Sequence, residues 1–218
     1  MKNTIKILVT LTILFLSACD SKNKVVEGPF LTMYSKLYFQ DSGKLVTGIV
    51  KKYHEDAPKV LYSTTTYKNG MKNGSQSIYY ENGQLLERGT YIDGKVDGVY
   101  EVFWNDGQLR AKGIWSMGMI QNEERFHGFG QLKSKINYLN GLRSGEVITY
   151  YSSGTVAIKE YYIDGKLNGI RKDFNEDGSP RTIQEYKDGN AVGKPKCIKG
   201  GEFGGCAVNE KLEAYLVR

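Results

Sequence analysis

Residues 91–115 read YIDGKVDGVYEVFWNDGQLRAKGIW, and most of the chain repeats them. Gly70, Gly94, Gly118, Gly141, Gly165 and Gly189 stand 24, 24, 23, 24 and 24 residues apart. Gly83, Gly107, Gly130, Gly154 and Gly178 keep the same spacing. An aromatic follows each of these five by eight residues: Tyr91, Trp115, Tyr138, Tyr162 and Tyr186. Another precedes it by four: Tyr79, Phe103, Phe126, Tyr150 and Phe174. A fixed period of this length marks a modular array.

Each period carries two turn signals. One is Asp93-Gly94, with Asn69-Gly70, Asn140-Gly141, Asp164-Gly165 and Asp188-Gly189 as its copies. The other is Asp106-Gly107, matched by Asn82-Gly83 and Asp177-Gly178. Asn-Gly and Asp-Gly between alternating apolar residues specify hairpins. Helix is disfavoured, since each interior glycine would cost it about 1 kcal/mol. The unit is therefore a β-hairpin, and the fold is all-β: an elongated antiparallel sheet of tandem hairpins, each near 24 residues.

If Asn105, Asp106 and Gly107 form a three-residue loop, Phe103 pairs with Leu109. Strand alternation then predicts Phe103, Leu109 and Trp115 on one face. It predicts the basic column Arg88, Lys112, Lys135 and Lys159 on the other, along with Leu86, Arg110, Lys133, Ala157 and Arg181. Tyr80, Trp104, His127 and Tyr151 are expected on that second face too. The remaining glycines, Gly74, Gly98, Gly145 and Gly169, are expected where a ring or backbone approaches closely.

Tyr91-Ile-Asp-Gly-Lys-Val-Asp-Gly98 and Tyr79-Tyr-Glu-Asn-Gly-Gln-Leu85 resemble the MORN-variant repeats of YwqK-like proteins, over residues 38–194. The resemblance implies a MORN-like hairpin array. Members of that family are often labelled antitoxins, a label that implies a toxin as partner and brings no catalytic motif.

Residues 1–18 read as a signal peptide: Lys2 and Lys6, a short apolar run, then Leu16-Ser17-Ala18 before Cys19. This resembles the lipobox of bacterial lipoproteins, which implies acylation of Cys19 and a membrane anchor facing the cell envelope. Residues 19–29 are expected to be anchor and tether, 30–194 the repeat domain and 195–218 a C-terminal cap. Residues 31–67 hold a degenerate first unit, with a longer loop expected at residues 56–59. The unit at residues 115–138 is one residue short, and Glu123, Glu124 and Arg125 carry charge there. A bent or bulged strand is expected.

Cys197 and Cys206 flank the last glycine-rich segment. In an exported protein they are expected to pair, with Cys19 lipidated. A Cys–Cys zinc pair is the competing reading, and two further ligands at suitable spacing are absent from the sequence.

No nucleophile elbow, zinc motif or phosphate loop is visible, so no enzyme and no cofactor are expected. Asp173-Phe-Asn-Glu-Asp-Gly178 opens like a calcium loop, but Gln184 stands where the bidentate Glu belongs. Without Lys2 and Lys6 the chain carries 28 basic against 24 acidic residues. Export and this modest charge argue against nucleic acid. Tyr80, Arg88, Trp104, Arg110, Lys112, Tyr151 and Lys159 are the candidate partner-binding residues, unless these rings pack against one another instead. The expected function is a membrane-anchored protein that neutralises a toxin by contact. The alternative is an envelope scaffold that binds lipid headgroups, wall polymer or other envelope proteins.

Overall fold

The computed structural model describes residues 24–199 and 202–205. Residues 1–18, expected to be a signal peptide, lie outside the described residues, as do Cys19 and Cys206. The strands are β1 Val25–Val26, β2 Phe30–Met33, β3 Lys36–Phe39, β4 Gly48–Tyr53, β5 Leu61–Lys68, β6 Met71–Tyr79, β7 Leu85–Ile92, β8 Lys95–Phe103, β9 Leu109–Ser116 and β10 Met119–Phe126. They continue as β11 Leu132–Leu139, β12 Leu142–Arg143, β13 Gly145–Tyr150, β14 Val156–Ile163, β15 Lys166–Leu167, β16 Gly169–Phe174, β17 Pro180–Lys187, β18 Asn190–Lys199 and β19 Glu202–Gly205.

All but β2 and β3 join one 17-stranded sheet. From β4 onward it is an antiparallel meander in which each strand pairs with its neighbours in sequence. β12 and β13 follow one another along β11, and β15 and β16 along β14. β1 lies parallel to β4 and covers that edge, so two residues assigned to the tether belong to the sheet. β2 and β3 form a separate hairpin. Its Leu37 is buried with Val46 and Val50, against Val26, Phe30, Phe39 and Tyr67. This is the one apolar core cluster among the described residues. Farther along the array, among the described residues, only Ile136, Val147 and Ala157 are buried apolar residues. Stability here must come mainly from contacts between neighbouring hairpins, as in other repeat arrays.

Both turns take the form the glycines demand. Asp93 and Gly94 have φ of 48° and 81°, the two left-handed residues of a type I′ turn. At the other turn the Trp104 amide donates to Gln108 and the Gly107 amide to Trp104. That is the expected three-residue loop, with Gly107 at φ 86° and Phe103 paired with Leu109. The first unit's counterpart runs between Tyr53 and Leu61 and is two residues longer, as expected.

The face assignment is overturned. Phe103 pairs with Leu109 but Val102 pairs with Ala111, so Arg110 is an extra residue. The same bulge leaves Leu86, Lys133, Ala157 and Arg181 unpaired in the other hairpins. One extra residue reverses the side on which everything after it points. Trp115 therefore pairs with Gly98 on the face opposite Phe103. Arg88, Lys112 and Lys159 share the face of Phe103 and Leu109, and the Arg88 guanidinium sits 5.6 Å from the Phe103 ring centroid.

A second bulge explains the third glycine column. Opposite Thr90 alone, β8 supplies residues 97–99, and Gly98 takes φ of 96°. A Cβ on Gly145 or Gly169 would meet nothing within 4 Å, so those glycines serve their backbone angle rather than a close approach. Gly74 and Gly98 are approached closely, by the Thr66 and Thr90 side chains rather than by a ring or backbone, and the ring approach is at Gly89, under Tyr100. In the short unit, Gln121 alone is extra, and this absorbs the missing residue.

Candidate functional site

The bulges sort the side chains into two faces. One carries Tyr67, Tyr91, Trp115, Tyr138, Tyr162 and Tyr186 near the type I′ tips, and is called the aromatic face. The other carries Arg88, Glu101, Lys112 and Glu124, and is called the ladder face.

On the aromatic face, successive rings alternate with the residue two before the third glycine. Lys72 lies 4.7 Å from the Tyr91 centroid, and Arg143 lies 5.6 Å from that of Tyr162. Where that residue is the small Val96, a depression of ≈ 280 Å³ opens between Tyr91, Tyr100 and Trp115. Tyr100 meets Trp115 edge to face at 6.5 Å.

Charged groups are set among the rings. The Tyr138 hydroxyl donates to Glu123 at 3.0 Å, and Arg125 pairs with the same carboxylate at 2.9 Å. Arg171 bridges Glu160 and Asp173, each at 3.0 Å, and Tyr162 donates to Glu160 at 3.2 Å. Burial raises the phenol pKa of Tyr67, Tyr91, Tyr100, Tyr138 and Tyr162 above the ordinary value of 10.0. Nearby Glu87 adds to the effect at Tyr91 and Tyr100, Glu123 at Tyr138 and Glu160 at Tyr162. Burial likewise lowers Lys72. At Arg171 burial opposes the charge, and Asp173 and Glu160 outweigh it. Partly dehydrated charges beside aromatic surface are what recognition of a shaped, polar partner uses.

The sequence candidates do not assemble into one patch. Tyr80 and Tyr151 lie at the three-residue loops, and their hydroxyls donate to the Phe103 and Phe174 carbonyls at 2.9 and 2.7 Å. His54 and His127 hold the equivalent position, with Nε2 3.2 Å from the Tyr79 and Tyr150 carbonyls. This column ties each hairpin to the next. At the opposite edge the amides of Gly94, Gly118, Gly165 and Gly189 do the same, to the carbonyls of Lys72, Val96, Arg143 and Leu167. Trp104 is the exposed member of its column, with the Arg110 guanidinium 4.7 Å from its centroid. Arg88, Lys112 and Lys159 lie on the ladder face. Cys197 is disulfide-bonded, and Cys206 lies outside the described residues. The calcium-like motif is spent on local bonds: Asp173 takes Arg171, and Asp177 accepts from Ser179 in the turn.

Sequence reasoning missed the aromatic face as a site. Its signal was present at Glu123 and Arg125 and at Glu160, whose repeat position is held elsewhere by Gly89, Gly113, Ile136 and Gln184.

Three segments, residues 72–93, 143–164 and 167–188, match the family model of the MORN repeat variant. The chain is thus a repeat protein that carries MORN-variant repeats, which suggest a binding or scaffolding role. No curated protein matches the chain. Among solved structures, one described as "Crystal structure of GtfA/B complex bound to UDP and GlcNAc" aligns at 11% identity and a TM-score of 0.19. The alignment covers 76% of this chain and 34% of that one, about a third of its length. A likeness at that score carries no argument.

Proposed function

We propose that the chain is a non-enzymatic binding protein that receives a partner protein along its aromatic face. It is presented from a membrane of the bacterial envelope by acylated Cys19. Neutralising a toxin by occluding it is the form of binding that fits the family resemblance. One observation carries the binding reading: the half-buried rings of Tyr91, Tyr100 and Trp115 frame an open apolar depression, with the partly dehydrated Lys72 and Arg171 on the same face. Aromatic anchors in water-excluding pockets dominate protein interfaces. Glu123 and Glu160 are already engaged by Tyr and Arg donors, which suits recognition better than proton transfer.

A scaffold for anionic envelope polymers or headgroups is the second reading. The ladder-face run of Lys135, Lys159, Lys172 and Lys196 favours it, since only Ile148 and Ile183 stand between these lysines.

A photo-crosslinking residue at Val96, in membranes of the source cell, separates the two. One stoichiometric protein adduct is expected from Val96, and none from a control at exposed Glu176. No protein adduct, or a scatter of weak ones, would reject the single-partner reading.

A further inference from the structure

The ladder face presents a cross-strand row that can be followed through the pairing. Arg88 opposes Glu101, Glu101 opposes Lys112, Lys112 opposes Glu124, Glu124 opposes Lys135, and Lys135 opposes Ile148. Its charges alternate from Arg88 to Lys135. Arg88 pairs with Glu101 at 2.6 Å, and Lys135 with Glu124 at 3.4 Å. Lys112, between two carboxylates, makes no ion pair among the described residues.

Beside the row, toward the type I′ tips, the same face exposes Ile92, Val99, Ile114, Met119, Leu139 and Leu142. Each is between 44% and 57% exposed. Val99 opposes Ile114, and Leu139 opposes Leu142. Lys95 and Ser116 stand between Ile92 and Met119 at the tips, and Asn122 and Asn137 follow Ile114 across the sheet; a cluster of exposed apolar side chains of this kind marks an interaction site.

The geometry points to a second copy of this chain as the occupant. Two copies can stack ladder face to ladder face about a two-fold axis parallel to the strands, midway between β9 and β10. Such an axis reverses the order of strands but keeps tips with tips, so the apolar clusters meet. It sets Lys112 against Glu124 of the second copy and Glu101 against Lys135 of the second copy, each twice. Arg88 then meets Ile148 of the second copy, and no like charges face each other from Arg88 to Ile148. An axis through β9 or through β10 would set Lys112 on Lys112 or Glu124 on Glu124. Any axis midway between neighbouring strands of the alternating run pairs opposite charges, as an isologous interface requires; the one between β9 and β10 is also the midpoint of the exposed apolar residues, which span β7 to β12. Six strands at ~4.8 Å and eight residues at ~3.4 Å give a face on the order of 800 Å² per copy. That is the standard size for a specific interface. This surface is separate from the aromatic face, which stays open in the dimer.

Sedimentation equilibrium of the full chain in a non-ionic detergent tests the proposal. A concentration-dependent dimer is expected. Glu101→Lys and Lys135→Glu should each weaken it about tenfold or more, because like charges then meet across the axis. The double variant should recover most of that loss. Lys112→Gln, which breaks no ion pair within the chain, should weaken the dimer while leaving the melting curve in place. A monomer at every concentration would overturn the proposal. So would a dimer indifferent to these changes, or a double variant as weak as the singles.

Discussion

Gly89→Ala isolates one contact on the aromatic face. Gly89 is buried and does not have a positive φ, so an alanine fits its backbone. Its Cβ would stand 2.3 Å from Tyr100 Cδ2 and 2.9 Å from Cε2. Carbon pairs prefer about 3.5–4.0 Å, so the ring would have to retreat by more than about 1 Å. Retreat is resisted, since Tyr100 packs edge-on against Trp115 at 6.5 Å. Overpacking of this kind costs ~1–3 kcal/mol. Alanine gives back ~0.4–1 kcal/mol by restricting the unfolded chain. The net loss should be about 1–2 kcal/mol. Urea unfolding followed by Trp115 fluorescence, in a Trp104→Phe background, reads the unit beside the mutation. In a Tyr100→Ala background the same change should be neutral or mildly stabilising, leaving a coupling of about 1–2 kcal/mol in a double-mutant cycle. A loss below ~0.5 kcal/mol, or equal losses in both backgrounds, would refute the contact as described.

Two further outcomes follow from the same geometry. The folded phenols of Tyr67, Tyr91, Tyr100, Tyr138 and Tyr162 hold their protons above the ordinary value of 10.0, chiefly because they are buried. The unfolded chain gives its protons up first, so this stability is whole below that value and is lost as pH rises through the folded values. A phenolate absorbance titration should show a late-titrating class that merges with unfolding; a single transition for all tyrosines would contradict it. Gly107→Val should cost ~1–3 kcal/mol through its φ of 86°, while Gln108→Val should cost less than ~1 kcal/mol. Equal melting temperatures would remove the left-handed residue from the turn.

Hairpins were legible because their turns leave residue types behind. A type I′ turn needs two positive φ angles, and Asn, Asp and Gly reach them at least cost. Even so, Met117 occupies one such position at φ 50°, with its amide held by the Asp97 carboxylate, and only the period reveals it. The bulges of β7, β9, β11, β14 and β17 leave no such trace. Leu86, Arg110, Lys133, Ala157 and Arg181 share a position and nothing in their chemistry, because an extra residue in an extended strand needs no special side chain. Alternation counted through them put Trp115 on the wrong face and set Arg88 apart from Phe103, whose ring it covers.

The same slip hid the site. Of the column read as outward rings, Tyr80, His127 and Tyr151 instead tie each hairpin to the next, and Trp104 stays exposed. The charged residues that looked like defects in the short unit become partners of buried phenols. A repeat can keep its fold through glycines and rings alone. The positions that break its columns, Glu123, Arg125, Glu160 and Arg171, are free of that duty, and the partly dehydrated charges of the aromatic face lie among them. Under the proposed function, partner specificity resides in the residues that differ from unit to unit.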